Sequence, residues 1–269
     1  MGIWMADQGG EQRYLAARRW LPQVGAIVLS YFQGAHLERV KKHDGTDVTK
    51  ADREAEAYLR KMISQEFPQD SITGEESGET LGSSGWRWIV DPIDGTAAFV
   101  QGVPLFGTLI GATFNDQPLI GVIAIHALGE SVFALKGQGA WWIRNKDAEP
   151  VRCHVSSQTQ LSDAAFCYTT VKSWDQCGAG KAHEKLRQRV SQDRGWSDCY
   201  GYVLVATGRA DIMVDAKMHI WDNAALMPII EEAGGRFTDW NGRSVIDGGN
   251  AVASNGVLHD FVLKLLSED

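Results

Sequence analysis

The run Asp91-Pro92-Ile93-Asp94-Gly95-Thr96 restricts this chain more than any other six residues. It follows the apolar stretch 86–90, which reads as a buried strand, and it sets two carboxylates three residues apart around a proline that fixes the backbone. Two acids so placed repel each other unless a cation lies between them. Gly95 lets the backbone approach a ligand closely and Thr96 adds a hydroxyl, so the segment suits a metal-bound phosphate facing free backbone amides. The same residues also describe an ordinary Asp-Gly turn at a strand end. Two further pieces decide against a turn alone: Gly74-Glu75-Glu76 upstream, and Trp221-Asp222 at the head of an apolar helical run. Three separated acidic clusters suit a site for several magnesium ions.

Gly74-Glu75-Glu76, the central hexapeptide and Trp221-Asp222-Asn223-Ala224-Ala225 together resemble the signature of the inositol monophosphatase superfamily of magnesium-dependent phosphatases, from about Lys41 to about Asn255. Within it, Asp198-Cys199-Tyr200-Gly201-Tyr202, followed by Val205-Ala206-Thr207-Gly208, resembles the histidinol-phosphate phosphatase branch more than the inositol phosphatases. The resemblance implies an α+β fold, a five-layered αβαβα sandwich of the inositol monophosphatase and fructose-1,6-bisphosphatase type, and a homodimer. It also implies hydrolysis of L-histidinol phosphate, a step of histidine biosynthesis, by a metal-activated water. The alternatives are an inositol-1-phosphate phosphatase on the same scaffold, or a regulatory member of the fold without turnover.

By the same resemblance, Glu75, Asp91 and the carbonyl of Ile93 hold a first Mg2+, and Asp91, Asp94 and Asp222 a second, with a third weaker ion sharing Glu75. Thr96 and Asp52 orient and deprotonate the attacking water, with Lys41 or Lys42 helping to order it. Gly95 and Thr96 present amides to the phosphate, and Asp94, Asp198 and Asp215 face the substrate alcohol. Two carboxylates at Asp198 and Asp215 suit the ammonium and imidazole of histidinol phosphate. Each residue has a plainer local reading. Thr49-Lys50-Ala51-Asp52 is also a capping pattern, Asp222 and Asp198 also suit helix caps, Glu75 a loop, Asp215 a strand end in solvent, and the lysines a flexible surface.

With 269 residues, 44% of them hydrophobic, the chain can build a substantial core, and no low-complexity linker divides it. One phosphatase unit over 1–269 is expected, with an α+β half at about 11–150 carrying the metal motifs and an α/β half at about 151–269 carrying the substrate side. A net charge of −8 without a basic cluster gives no support to nucleic-acid binding or to a second phosphate in the substrate. No stretch approaches eighteen uninterrupted apolar residues, so neither a membrane span nor a signal peptide is read, and the cytoplasm is the expected compartment. Cys153, Cys167, Cys177 and Cys199 lack C-x-x-C spacing, which fits reduced thiols. The histidines 36, 43, 126, 154, 183, 219 and 259 show no ligand spacing, so structural or surface roles are expected.

Periodicity predicts helices over 11–32, kinked at Pro22 and closed near Gly34, and over 49–66. Strands 106–114, 119–125, 131–135 and 140–143 follow as hairpins. The second half alternates: strand 164–168, helices from 181 and over 197–207, strand 210–215, helix 222–233, strands 236–240 and 251–254, and a helix from 257. Residues 1–10, 76–85 and 145–160 read as loose. Trp141 and Trp142 cannot share one face of a strand, and one of them is expected to meet a partner subunit.

Overall fold

A computed structural model describes residues 5–34, 39–41 and 47–268; His36, Lys42 and His43 lie outside them, and Lys41 is described by its backbone alone. The first elements are helix α1 (Met5–Tyr31), the paired strands β1 (Arg39–Lys41) and β2 (Asp47–Thr49), and helix α2 (Lys50–Glu66). Helix α1 thus takes in part of the stretch expected to be loose, and Pro22 lies within it. On α2, Ala51, Ala55, Leu59 and Ile63 form a buried stripe at helical spacing. That stripe and Ala17, Trp20, Val24 and Val28 of α1 pack on the same sheet face. The rings of Trp20 and Phe67 lie 5.2 Å and 5.5 Å from Trp88, and full burial of an aromatic such as Trp20 or Trp88 contributes about 2–3 kcal/mol from area alone.

Strands β3 (Ser71–Gly74) and β4 (Gly78–Thr80) precede β5 (Trp86–Asp94), and the short helix α3 (Thr96–Val100) leads into a meander. The meander runs β6 (Gly107–Phe114), β7 (Gln117–Ile125), β8 (Glu130–Leu135), β9 (Gly139–Ile143) and β10 (Val151–Arg152). Together they form an eight-stranded sheet in the order β10-β9-β8-β7-β6-β5-β3-β4, with β3 and β5 parallel. The predicted hairpins form. The first turns tightly at Asn115-Asp116, where φ values of 47° and 62° match the twist of the strands it joins, so β7 starts earlier than expected. Strand β5 also departs from the sequence reading. It does not stop at Val90 but continues through Pro92 to Asp94, with a register shift between Asp91 and Asp94 that lets proline sit in a strand.

The rest of the chain runs β11 (Ala165–Cys167), α4 (Val171–Gln176), α5 (Gly180–Arg187), β12 (Gln192–Arg194), α6 (Asp198–Ala206) and β13 (Ile212–Asp215). It ends with α7 (Ile220–Glu232), β14 (Arg236–Thr238), β15 (Ala251–Ser254) and α8 (His259–Ser267). A five-stranded sheet has the order β12-β11-β13-β15-β14. Helices α1 and α2 cover the outer face of the large sheet, α6 and α7 fill the space between the sheets, and α4, α5 and α8 cover the far face of the small one. This is the expected α+β, five-layered αβαβα sandwich. Close approach seats α7. A Cβ at Gly111 would meet Ala224 at 2.7 Å and one at Gly121 would meet Ala225 O at 2.1 Å, so glycines in β6 and β7 let the helix descend onto the sheet.

Trp141 and Trp142 do face opposite sides of β9, and residues of this chain cover both. Arg152 lies over Trp141 at 5.3 Å and Arg209 over Trp142 at 4.5 Å, and both rings stay partly exposed. Two of the histidines, His183 and His259, are built into the packing, and His154 lies on the surface. His259 lies 2.9 Å from both Thr238 and Ser254, and burial pushes it down to about 4, while His183 packs edge-on against Tyr168. Cys153 and Cys167 are buried, and burial pushes both thiols up to about 12.

Candidate active site

The register shift at the end of β5 puts Asp91 and Asp94 at one point of the cleft, and the first turn of α7 brings Asp222 to the same point from the other half of the chain. One carboxylate oxygen from each lies within 4.8 Å of the others. Glu75 follows β3 directly, its N–H donating to Val90 O of the adjacent strand at 3.3 Å. Burial pushes the Asp91 carboxyl well above its ordinary range, and the charges of Glu75, Asp94, Asp222 and Asp52 push it further. Asp94 is raised by burial and then by Asp198 and Asp222. Asp222 is pushed up to about 7, by burial first, against the His219 N–H that favours its charged form, with Glu75, Asp198 and Asp215 adding repulsion. Acids gathered this closely, partly withdrawn from water, hold protons or a cation.

Asp52 sits at the third position of α2, where Oδ2 accepts from Thr49 N at 2.8 Å and Thr49 Oγ1 at 2.5 Å. The capping reading is therefore correct, and it uses one oxygen only. Oδ1 is fully buried and has no hydrogen-bond partner among the described residues. Thr96 opens α3 and donates its hydroxyl to Ile93 O at 3.0 Å, which leaves its own oxygen able to accept. Between them Gly95 has φ 83°, and a Cβ there would meet Asp198 Oδ2 at 3.0 Å and Leu105 O at 3.1 Å.

Glu56 was not read from the sequence. It is fully buried on α2 and accepts from Glu76 N at 2.7 Å and Ser77 N at 3.0 Å, which fixes the turn that carries Glu75. Its signal was present, since Asp52 and Glu56 are acids on the same helix face as Leu59 and Ile63. Asp222 is the third residue of α7 rather than its cap. Its Oδ2 accepts from His219 N at 2.6 Å, and the His219 ring stacks on Trp221 at 4.8 Å.

Beside the acid cluster lies a cavity of about 180 Å³ whose walls include Asp94, Asp198, Asp215, Asp222, Thr169 and Lys217. Asp198 begins α6 after Ser197, and both have positive φ, 35° and 42°, a conformation that costs energy for residues with a Cβ. Two bonds hold that turn: Asp198 N donates to Thr169 Oγ1 at 3.0 Å and Cys199 N to Asp94 Oδ2 at 2.6 Å. Cys199 thus contributes its backbone amide to the site. Asp215 is not a solvent-facing strand end. It is buried, accepts from Thr169 N at 2.9 Å and Tyr202 OH at 3.1 Å, and is pushed up to about 6 by burial. Thr169 therefore ties both cavity acids together, a role that no spacing in the sequence reveals.

A hard divalent cation fits this donor set: carboxylate oxygens only, mutually repelling, with a buried oxygen of Asp52 left over beside them.

The inositol monophosphatase family model matches residues 11–269. The histidinol-phosphatase of Chlorobaculum parvum is 41% identical over 237 residues, covering 88% of this chain and 89% of that protein. The one from Streptomyces coelicolor is 37% identical over 247 residues, covering 90% and 92%. Among solved structures, an inositol monophosphatase of Thermotoga maritima superposes with a TM-score of 0.79 at 31% identity, over 91% of this chain and 92% of that one. Another, from Zymomonas mobilis, gives 0.82 at 28% identity over 96% and 98%. The match extends over both sheets and the acids between them, and the chain belongs to the inositol monophosphatase family as a phosphomonoesterase.

Proposed function

We propose that this enzyme hydrolyses L-histidinol phosphate to L-histidinol and phosphate with two or three magnesium ions. One observation carries the choice of substrate: the cavity beside the acid cluster is itself lined by Asp198 and Asp215, in a pocket where a neutral polyol would call for hydroxyls and amides. The histidinol-phosphatase relatives add support.

Glu75, Asp91 and the Ile93 carbonyl would hold one ion and Asp91, Asp94 and Asp222 another, with Glu75 shared by any third. When bound, magnesium neutralises the phosphate, acidifies a water and stabilises the leaving oxygen. The chain's own residues do the rest. Asp52 Oδ1 and Thr96 Oγ1 orient the attacking water, and Asp52 is the acceptor for its proton, its carboxyl already raised by burial toward the range of a working base. The Gly95 and Thr96 amides face the phosphate oxygens. Asp94, Asp198 and Asp215 hold the alcohol, and Asp94 joins the two ends through the Cys199 N–H.

Phosphate chemistry alone does not separate this substrate from other esters. The test is a panel of histidinol phosphate, inositol-1-phosphate, fructose-1,6-bisphosphate and 3'-phosphoadenosine 5'-phosphate with purified protein and magnesium. Histidinol phosphate should give the highest kcat/KM; preference for inositol-1-phosphate would overturn the substrate and keep the phosphatase. No turnover on any ester would favour a regulatory member of the fold. On this reading the protein is a single unit, a homodimer of the cytoplasm. Free thiols, three of them buried, support a reducing compartment, and family resemblance supports the dimer.

A further inference from the structure

At the metal-side end of β5, Asp91 pairs with Leu109 and Asp94 with Gly107, so Pro92 and Ile93 together oppose the single residue Thr108. A bulge of this kind leaves backbone groups outside the regular ladder, and the relative placement of Asp91 and Asp94 depends on how those groups are held. Ile93 N donates to Asp91 Oδ1 at 3.0 Å. Pro92 O accepts from the hydroxyl of Thr108, fully buried, at 2.7 Å. The same hydroxyl oxygen lies 2.9 Å from His126 Nε2, at the end of β7.

These contacts fix the proton positions. The Pro92 carbonyl can only accept, so the hydroxyl proton of Thr108 belongs to it, and His126 must then donate its Nε2–H to Thr108 Oγ1. The reverse assignment would leave a buried carbonyl bare. Burial pushes His126 down to about 4, so its ring is neutral at ordinary pH, with Nδ1 unprotonated. On that side helix α1 crosses at Gly25, where an added Cβ would stand 2.6 Å from Nδ1. A mid-helix glycine costs helix stability, and here it is what lets α1 press the imidazole into place.

We propose that His126 and Thr108 are positioning residues for the metal centre: the chain His126 Nε2–H to Thr108 Oγ–H to Pro92 O clamps the bulge that sets Asp91 against Asp94, with Gly25 as its backstop. The inference rests on the reading of Asp91 and Asp94 as metal ligands. Residues supporting a metal ligand from behind typically change affinity by roughly tenfold or more when removed.

The test is calorimetric titration of the metal-depleted full chain with Mg2+, alongside kcat and KM on the best ester. Thr108→Val keeps the shape and removes the donor to Pro92, and should weaken Mg2+ binding roughly tenfold and lower kcat with little change in KM. Thr108→Ser should restore both. Gly25→Ala acts from the other side. It improves the helix while displacing His126, so it should weaken Mg2+ binding at least roughly threefold without lowering the melting temperature. It decides the question by itself if Thr108→Val does not fold. Mg2+ affinity within about twofold of native in the folded variants overturns the proposal, the native titration remaining intact. Failure of the native chain to bind Mg2+ would instead remove the metal reading on which it rests.

Discussion

Asp70 and Asp91 are both buried carboxylates of the large-sheet half, and among the described residues only Asp70 of the two is hydrogen-bonded to a cationic side chain. Asp70 takes both arms of Arg13 at 2.7 Å, Trp88 Nε1 at 2.9 Å and Ser84 Oγ at 2.7 Å. Asp239 is treated in the same way: burial raises its carboxyl, and Arg243 more than offsets this and holds it below the usual range. Around Asp91 the charges that act on its carboxyl are further acids. The first arrangement closes on itself and serves the fold. The second gathers like charges, and on the proposed reading it is held in place for a cation that comes from outside.

Exchanging Asp94, which adds its charge to the Asp91 cluster, or Asp70 for its amide should give opposite results. Asp94→Asn should lower turnover at least about 10³-fold, the scale of losing a group that stabilises developing charge, while the metal-free melting temperature holds or rises because a like charge is gone. Asp70→Asn should lower stability by about 3 kcal/mol in denaturant unfolding, because Arg13 is left buried and unpaired, and should alter kcat little. Loss of turnover in both, or in neither, would erase the distinction.

A smaller effect, about 10²-fold in kcat with KM nearly unchanged, is expected for Thr96→Ala and for Asp52→Asn. If Asp52→Asn lowers the melting temperature and spares turnover, Asp52 is only a cap and belongs with Asp70. Asp198→Asn should lower kcat/KM on histidinol phosphate by roughly ten- to a hundredfold, the worth of a charge-assisted bond to an amine, and far less on inositol-1-phosphate. Equal losses on both esters would make Asp198 a structural residue of its strained turn.

The smallest expected signal is in pH. Asp222 and Asp215 are raised from 3.8 to about 7 and about 6, so the folded chain holds protons there that the unfolded chain releases. Their contribution to stability is complete below pH 3.8 and is lost as pH rises through 6 and 7. Melting of the chelated protein should show that decline, and magnesium should suppress it. A pH-independent difference between chelated and loaded protein would contradict the assignment.

The sequence was informative where residues are neighbours and silent where they meet only in space. The acidic motifs, the hairpins from 106 to 143 and the helix at α2 could be read because turn chemistry and periodicity are local. Strands β4 and β12 could not, since each has three residues and a largely exposed pattern with no apolar face to detect. Asp222 could be assigned to the same ion as Asp91 only through resemblance, because 131 positions separate them and α7 closes the gap. Glu56 was missed although an acid on the apolar face of a helix was visible. Thr169 and His126 were missed because their roles depend on which backbone groups a turn and a bulge leave over.

The Asp91 cluster needs a divalent cation to balance its charges on the proposed reading. That need is tested most directly by titrating Mg2+ into the metal-depleted native, Asp94→Asn and Asp70→Asn chains by calorimetry. Native protein and Asp70→Asn, to the extent that it folds, should bind alike, and Asp94→Asn should bind at least about tenfold more weakly. Absence of binding in the native chain, or equal affinity in Asp94→Asn, would mean that the cluster is not a metal site.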